Sequence, residues 1–177
     1  FYKPTEISSN LPPVTVIICA WNEEENLKQN LQSILEQDYP EYEVIVVNDH
    51  SMDETELLIQ DWKKRYAHLR LIELNRENAK IRGKKFAVSI GIKGAKYDHL
   101  VFTDADCSPK SNQWLRHTAS GFSSEKELVL GYGAYQKLPG LLNKLYRYEA
   151  VITAMQYFSY AMAKMPYMGV GRNLAYH

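Results

Sequence analysis

Hydrophobic residues fall along this chain in two alternating rhythms. VTVIICA (Val14–Ala20) and EVIVVND (Glu43–Asp49) are near-continuous, β-branched runs of the kind expected for strands buried on both faces. Between them Leu27, Leu31, Ile34 and Leu35 recur at i, i+4, i+7 and i+8 with charges opposite, which predicts an amphipathic helix closed by the turn signal DYP. A second helix is predicted from Glu54 to Tyr66, with Ser51 or Asp53 as its cap and Leu58 and Trp62 as an apolar pair. LRLIEL (Leu69–Leu74) predicts a third, more exposed strand. The loop NRENAKIRG then leads to a helix from about Lys84 to Ala95 and to the strand HLVFTD. This β-α-β-α-β-α-β alternation with short connections predicts an α/β fold with an open, mostly parallel sheet flanked by helices. After Pro109 the rhythm changes. A short helix over Trp114–Phe122 is expected, then a strand-like ELVLGYGAY, an aromatic-rich helix from Leu141 to Ala163, and the glycine-rich MGVGRNLAYH.

Size and charge narrow this picture. With 177 residues the chain holds one well-buried domain. Residues 1–13, carrying Pro4, Pro12 and Pro13, read as an extended lead-in, 14–110 as a βα ligand-binding region, and 111–177 as the start of a second region that continues beyond His177. Basic and acidic residues balance at 21 each, which removes the global attraction behind non-specific nucleic-acid binding, so no nucleic-acid partner is expected. Cys19 and Cys107 are too few for a disulfide scaffold, fit a reducing compartment, and are expected as buried free thiols. The start, FYKPTEISSNLPP, lacks the apolar core of a signal peptide. The longest uncharged stretch, Ala150–Ala163, is 14 residues and falls short of the roughly 20 needed to span a bilayer. A soluble, cytoplasmic chain is the expectation, with packing favoured over a membrane-interface role for the Leu141–Met168 segment.

The candidate chemistry lies where the predicted strands end. An open parallel sheet binds ligands beyond the carboxyl ends of its strands. There this chain places WNEEE, NDHSMD and TDADCS. Capping accounts well for Glu24 and Asp53, but a single cap does not require the Asp-x-Asp of Asp104 and Asp106. Two adjacent carboxylates repel unless a proton or cation intervenes, which leaves a metal site, an acid/base pair, a phosphoryl-accepting nucleophile or an ordinary turn. No histidine has metal-ligand spacing with another His or Cys. Oxygen ligands suit Mg²⁺ or Mn²⁺ better than zinc, and Mg²⁺ commonly completes its shell with water and substrate phosphate. A phosphorylated or nucleotide substrate is therefore expected. No G-x-G-x-x-G follows the first strand and no P-loop occurs, so the common dinucleotide and phosphate fingerprints are absent.

Taken in order, these motifs resemble the family 2 inverting glycosyltransferases, which have a GT-A fold, Rossmann-like and built for nucleotide-diphospho-sugars. VTVIICAWNEEENL resembles the family's opening strand and its Asn-Glu pair, with Trp21 where Pro is frequent. VIVVNDHSMDET resembles the segment whose first Asp reads the nucleotide base, and GKKFAVSIGIKGAKYDHLVFTDAD resembles the Gly-Lys helix leading into the D-x-D motif. The resemblance implies donor contacts from Ala20, Asn22, Glu23, Asp49, Lys84 and Asp104, with Arg82 beside Lys84, and Mn²⁺ or Mg²⁺ held by Asp106 with Asp104. GVGRNLAYH is similar to the segment beneath the acceptor, which places Gly171, Arg172 and Asn173 on the acceptor side. It implies a nucleotide-diphosphate donor, with a UDP-sugar favoured, and a saccharide or lipid-linked acceptor. The general base is expected beyond His177, and membrane attachment through regions outside these residues. The Q-x-x-R-W signature of processive members is absent. The alternatives are a non-catalytic nucleotide-sugar-binding or interaction module, a nucleotidyltransferase, and a D-x-D phosphatase. The phosphatase reading leaves Asn22, Glu23 and Asp49 unexplained.

Overall fold

The structure, a computed structural model, describes residues 11–74 and 83–177. The loop 75–82, which includes Arg82, and most of the proline-bearing lead-in lie outside the described residues. Six strands form one sheet in the order β3-β2-β1-β4-β6-β5: β1 (Val14–Ala20), β2 (Tyr42–Asn48), β3 (Leu69–Glu73), β4 (His99–Asp104), β5 (Leu128–Leu130) and β6 (Leu174–Tyr176). The pairs β1·β2, β2·β3 and β1·β4 are parallel, whereas β6 runs antiparallel to both β4 and β5. The expected open, mostly parallel α/β sheet is therefore present, with an antiparallel strand inserted near one edge.

Alternation along the buried strands sorts side chains onto two helical layers. Val14, Val16, Ile18 and Ala20 of β1 and Val44 and Val46 of β2 pack with Leu27, Leu31, Ile34 and Leu35 of α1 (Glu24–Leu35), and with Ile59 and Trp62 of α2 (Thr55–Lys63). Leu115 and Ala119 of α4 (Trp114–Ala119) join the same cluster. The other face sends Ile17, Ile45, Val47, Leu100 and Phe102 against α3 (Lys84–Gly94), where Ala87 is fully buried. At the amino ends of the strands the buried Glu43 accepts hydrogen bonds from Thr15 Oγ1 (2.8 Å), Lys96 N (2.5 Å) and Arg70 Nη1 (2.8 Å), which satisfies a charge that would otherwise be costly to bury.

Several boundaries differ from the pattern-based expectation. α2 ends at Lys63 rather than Tyr66, because Arg65 N and Tyr66 N both turn back to Trp62 O. α3 and α4 are likewise shorter, ending at Gly94 and Ala119. The strand-like ELVLGYGAY pairs only over Leu128–Leu130. Beyond it the side chains of Asn173 and Arg172 lie over Gly131 and Gly133, where an added Cβ would meet them at 2.2 Å and 2.6 Å. The three-residue β6 had no visible period in the sequence; it pairs Leu174 with both Phe102 and Leu130.

α3 approaches the sheet closely at Gly91, where a Cβ would stand 2.7 Å from Ile17 Cγ2 and 3.1 Å from Val47 Cγ2. Both neighbours are β-branched and stiff, so neither yields readily. Gly91→Ala should destabilise the fold by about 1–3 kcal/mol of overpacking, less the gain of at most about 1 kcal/mol from helix propensity. Urea unfolding checks this, and a variant as stable as the parent would show that α3 has room to move away.

Candidate functional site

The carboxyl ends of β1, β2 and β4 open onto a cleft of about 760 Å³. β1 contributes Cys19, Ala20, Trp21 and Glu23, β2 contributes Asp49, His50 and Met52, the start of α3 contributes Gly83, Lys84 and Ala87, and β4 contributes Asp104, Ala105 and Asp106. Of the sequence-derived positions, Ala20, Glu23, Asp49, Lys84, Asp104 and Asp106 line the cleft, and Asn22 stands beside it in the turn.

Asn22 has a structural task. It adopts a left-handed backbone (φ 56°), its N–H donates to Ser51 Oγ (2.9 Å), and its Oδ1 accepts from Met52 N (2.7 Å). The two neighbouring βα turns are stitched further by Glu23 N donating to Thr55 Oγ1 (3.1 Å) and Glu24 N to Asp53 Oδ2 (3.1 Å). Asp53 Oδ1 also accepts from Thr55 N and Oγ1 at 3.1 and 2.6 Å. Asp53 and Glu24 therefore act at helix starts, as capping predicts, but across elements: Asp53 serves α1 and α2 together, while Glu24 Oε2 accepts from Glu54 N (3.2 Å).

The Asp-x-Asp turn is set from below. Ala105 is buried in the α1-side core at 2% exposure, so its two neighbours face the cleft. Asn30 Nδ2 on α1 donates to Ala105 O (3.1 Å), and Cys107 N donates to Asp104 O (3.1 Å) to close the turn. Ligand atoms of Asp104, Asp106 and Cys107 lie within 4.8 Å of one another. Lys84 Nζ donates to Asp104 Oδ1 at 2.5 Å from the first residue of α3. Burial pulls the Lys84 ammonium pKa down, but the hydrogen bond and charge of Asp104 outweigh it and leave it raised, so Lys84 stays cationic. Gly83 precedes it at φ 118°, a conformation open to glycine, and turns the chain into α3. Just past β2, His50 Nδ1 donates to Asp49 Oδ1 (2.8 Å).

The two cysteines depart from expectation. Both are free and half-buried: Cys19 packs against the α3-side core and also lines the cleft, and Cys107 stands beside Asp104 and Asp106. Burial pushes Cys19 up to about 11, against the pull of Lys84 and with the push of Asp104 and Asp49. Burial also takes Cys107 to about 11, helped by the charge of Asp106, whose Oδ1 accepts its S–H at 3.4 Å. Cys107 stands with Asp104 and Asp106 in the one group of acidic and thiol side chains close enough to share a cation among the described residues. Its two carboxylates offer oxygen donors of the kind that divalent cations take.

Arg172 and Asn173 lie in a single 3₁₀ turn, Gly171–Asn173, entering β6. Asn173 Oδ1 accepts from Trp114 Nε1 (3.1 Å) and its Nδ2 donates to Tyr132 O (3.3 Å), so this side chain braces the segment after β5. The guanidinium of Arg172 stacks 4.5 Å over the Tyr135 ring and lies within electrostatic reach of Asp104. Sequence reasoning missed Trp21, 63% exposed at the mouth, together with His50, Met52 and Cys19. An apolar residue just past a buried strand, where the sheet has no further partner to cover it, was the available signal.

A mixed sheet ordered 3-2-1-4-6-5, with acid groups at the ends of β1, β2 and β4, is the arrangement of GT-A glycosyltransferases. The chain superposes on the mannosyltransferase PcManGT of Pyrobaculum calidifontis, solved with GDP-Man and Mn²⁺, at a TM-score of 0.71 and 23% identity, over 98% of this chain and 48% of that one. It also superposes on TarS of S. aureus in complex with UDP-GlcNAc at 0.60 and 22% identity, over 72% and 37% of the two chains. Residues 15–172 match the model of glycosyl transferase family 2, and the chain belongs to that family. Among curated relatives, the poly-β-1,6-N-acetyl-D-glucosamine synthase of Staphylococcus epidermidis is 36% identical over 93 residues, which is 52% of this chain and 21% of that protein. Glycosyltransferase AglE of Haloferax volcanii is 34% identical over 119 residues, 66% of this chain and 38% of that protein. The chain thus spans between 21% and 38% of the length of these relatives. Family membership sets aside the phosphatase and nucleotidyltransferase readings of TDADCS.

The stitched turns carry a pH signature. Burial raises the Asp53 carboxyl pKa, but the donors of Thr55 and Glu24 outweigh it and hold the group below its ordinary value. A carboxylate depressed in the fold stabilises above its unfolded pKa, near 4, and loses that contribution as pH falls through the lower folded value. Asp53→Ala should therefore cost about 1 kcal/mol at neutral pH, the scale of a lost cap. The gap to the parent should narrow below about pH 4 in unfolding measurements. A gap of equal size at pH 3 and pH 7 would rule out the carboxylate as its source.

Proposed function

We propose that this chain is the donor-binding part of a glycosyltransferase that moves a sugar, with inversion, from a nucleoside diphosphate donor to an acceptor hydroxyl. The observation that carries this reading is the convergence of Asp49, Lys84, Asp104 and Asp106 on one cleft from three strand ends and a helix start. The nucleotide base fits the β1–β2 side, beside Ala20 and Asp49, with uridine favoured by the sequence resemblance. The diphosphate fits beside Lys84, where the first N–H groups of α3 add a positive helix end to the ammonium charge. Asp106 with Asp104 would hold Mn²⁺ or Mg²⁺, which as a Lewis acid stabilises the departing diphosphate. Gly171, Arg172 and Asn173 stand at the acceptor end, and a saccharide or a lipid-linked sugar is the acceptor class.

The four carboxylates of the cleft each have another task on this reading: Glu23 accepts from Asn26 Nδ2 (2.6 Å), Asp49 takes a hydrogen bond from His50, Asp104 is paired with Lys84, and Asp106 has the metal role. An inverting displacement needs a separate base in reach of the acceptor hydroxyl. On this reading none of the four cleft carboxylates is that base. The chain by itself should then bind donor and release at most a trace of transferred sugar; sustained multiple turnover by residues 1–177 would place the base among them.

The donor site is checked by thermal unfolding with UDP in the presence and absence of Mn²⁺. At 100 times its Kd the nucleotide should add about 2.7 kcal/mol of stability. Asp106→Asn, an exposed and nearly isosteric change, should remove the Mn²⁺-dependent part and leave the fold intact. Equal Mn²⁺ enhancement in parent and variant would overturn the assignment of Asp106 as a metal ligand. A family-2 fold that takes up no nucleotide at all would favour an interaction module.

A further inference from the structure

The longest helix, α5 (Leu141–Met162), is apolar on two opposite sides. One side is accounted for: Ala150, Ala154 and Tyr157, at i, i+4 and i+7, face the protein, and Tyr157 O–H donates to Gly131 O (3.0 Å). On the far side Leu141, Leu145, Tyr148, Ile152, Met155 and Met162 recur at alternating steps of four and three, interrupted by a single Ser159. Leu141 is 73% exposed, Tyr148 67% and Met155 60%, and among the described residues no element covers this stripe. A surface helix of a globular protein normally turns polar residues to that side. A continuous exposed apolar stripe marks an interaction surface.

Charge says what kind of surface meets it. The chain as a whole is balanced, yet residues 131–168 carry Lys137, Lys144, Arg147 and Lys164 against only Glu149. None of these four cations takes part in an ion pair among the described residues. Tyr146, Tyr160 and Tyr167 are at least half exposed along the same segment, and tyrosine suits the headgroup level of a bilayer. No described helix is long and apolar enough to cross a membrane, so the stripe can lie on a bilayer but not through it. Unpaired cations beside an apolar, tyrosine-bearing stripe are complementary to an anionic lipid surface.

We propose that α5 docks the protein on an anionic membrane surface, with its Leu141–Met162 stripe in the headgroup boundary. The consequence is positional. Tyr157 ties α5 to the end of β5, and Tyr135 in the following segment stacks on Arg172 beside the acidic cleft. The acceptor side of the cleft would then open close to the lipid surface, where a lipid-linked or membrane-emerging acceptor is presented. This deepens the transferase reading, but the docking itself does not depend on it.

The test is co-sedimentation of the 177-residue chain with vesicles of phosphatidylcholine alone or with about a third phosphatidylglycerol. The parent should bind the anionic vesicles, and raising salt from about 0.1 M to about 1 M should weaken binding severalfold. The triple variant Leu145→Glu, Ile152→Glu, Met155→Glu, at exposed or nearly exposed positions, should lose at least about tenfold in partition. Lys144→Glu with Arg147→Glu should abolish the preference for anionic lipid. Unchanged UDP-dependent thermal stabilisation in these variants shows that the fold survives, and keeps failure of docking separate from failure of the donor site. The proposal fails if the parent binds neither vesicle, if the triple variant binds like the parent, or if light scattering shows a dimer that the triple variant dissolves while vesicles stay unbound. The last result would make the stripe an interface between copies of the chain.

Discussion

Everything at the cleft depends on one small apolar foothold, Ala105, held in the core between two carboxylates that face away from it. Core packing against α1 and the amide of Asn30 fix the turn from beneath, so Asp104 and Asp106 cannot relieve their mutual repulsion by swinging apart with the backbone. The structure answers part of that repulsion with Lys84, delivered by the first residue of α3. The same helix reaches the sheet closely only because Gly91 lets it. Packing on the two faces of the sheet thus meets at one point, where one layer supplies the acids and the other the cation.

The other half of the cleft is held by hydrogen bonds rather than packing. Asn22, Ser51, Asp53 and Thr55 bind the β1–α1 and β2–α2 turns to each other, so the strand ends carrying Glu23 and Asp49 move as one body. Short polar side chains suit this task because they bond locally to backbone N–H groups without burying charge. The cleft therefore has a rigid floor on both sides before any ligand enters.

The early part of the chain was legible because its periods are long and regular. Strands β1, β2 and β4 read as uninterrupted β-branched runs, and α1 shows its stripe at Leu27, Leu31, Ile34 and Leu35. The rule that ligands sit at strand carboxyl ends then located Asp49, Asp104 and Asp106 without coordinates. What stayed hidden depends on contacts far apart in sequence. Nothing local in GVGRNLAYH distinguishes the three-residue β6, which exists because β4 and β5 leave a slot between them. Likewise Gly131 and Gly133 read as part of a strand until Asn173 and Arg172 are seen resting on them. Asn22 was legible as a residue at the site; that it braces a turn, beside rather than in the cleft lining, required its partners Ser51 and Met52. The thiols of Cys19 and Cys107 looked like core residues because they lie in or beside apolar runs, whereas the end of β1 brings Cys19 to the cleft and the turn after β4 sets Cys107 beside Asp104 and Asp106.

The formal neutrality of the chain conceals a separation of charge between two surfaces. The cleft sets Glu23, Asp49, Asp104 and Asp106 against Lys84, while the α5 segment carries four basic residues and one acidic. A nucleoside diphosphate is itself an anion, and an acidic cleft would repel it. Lys84 cannot reverse that sign alone, because its charge is already spent largely on Asp104. A divalent cation between Asp106 and the diphosphate would, so on the proposed reading ion and donor each enter more favourably after the other, by the same factor in either order. The acidity that makes the empty cleft hostile to its donor is then what makes occupancy conditional on the metal. The basic, apolar stripe of α5 draws on the opposite sign and needs no ion to meet an anionic surface.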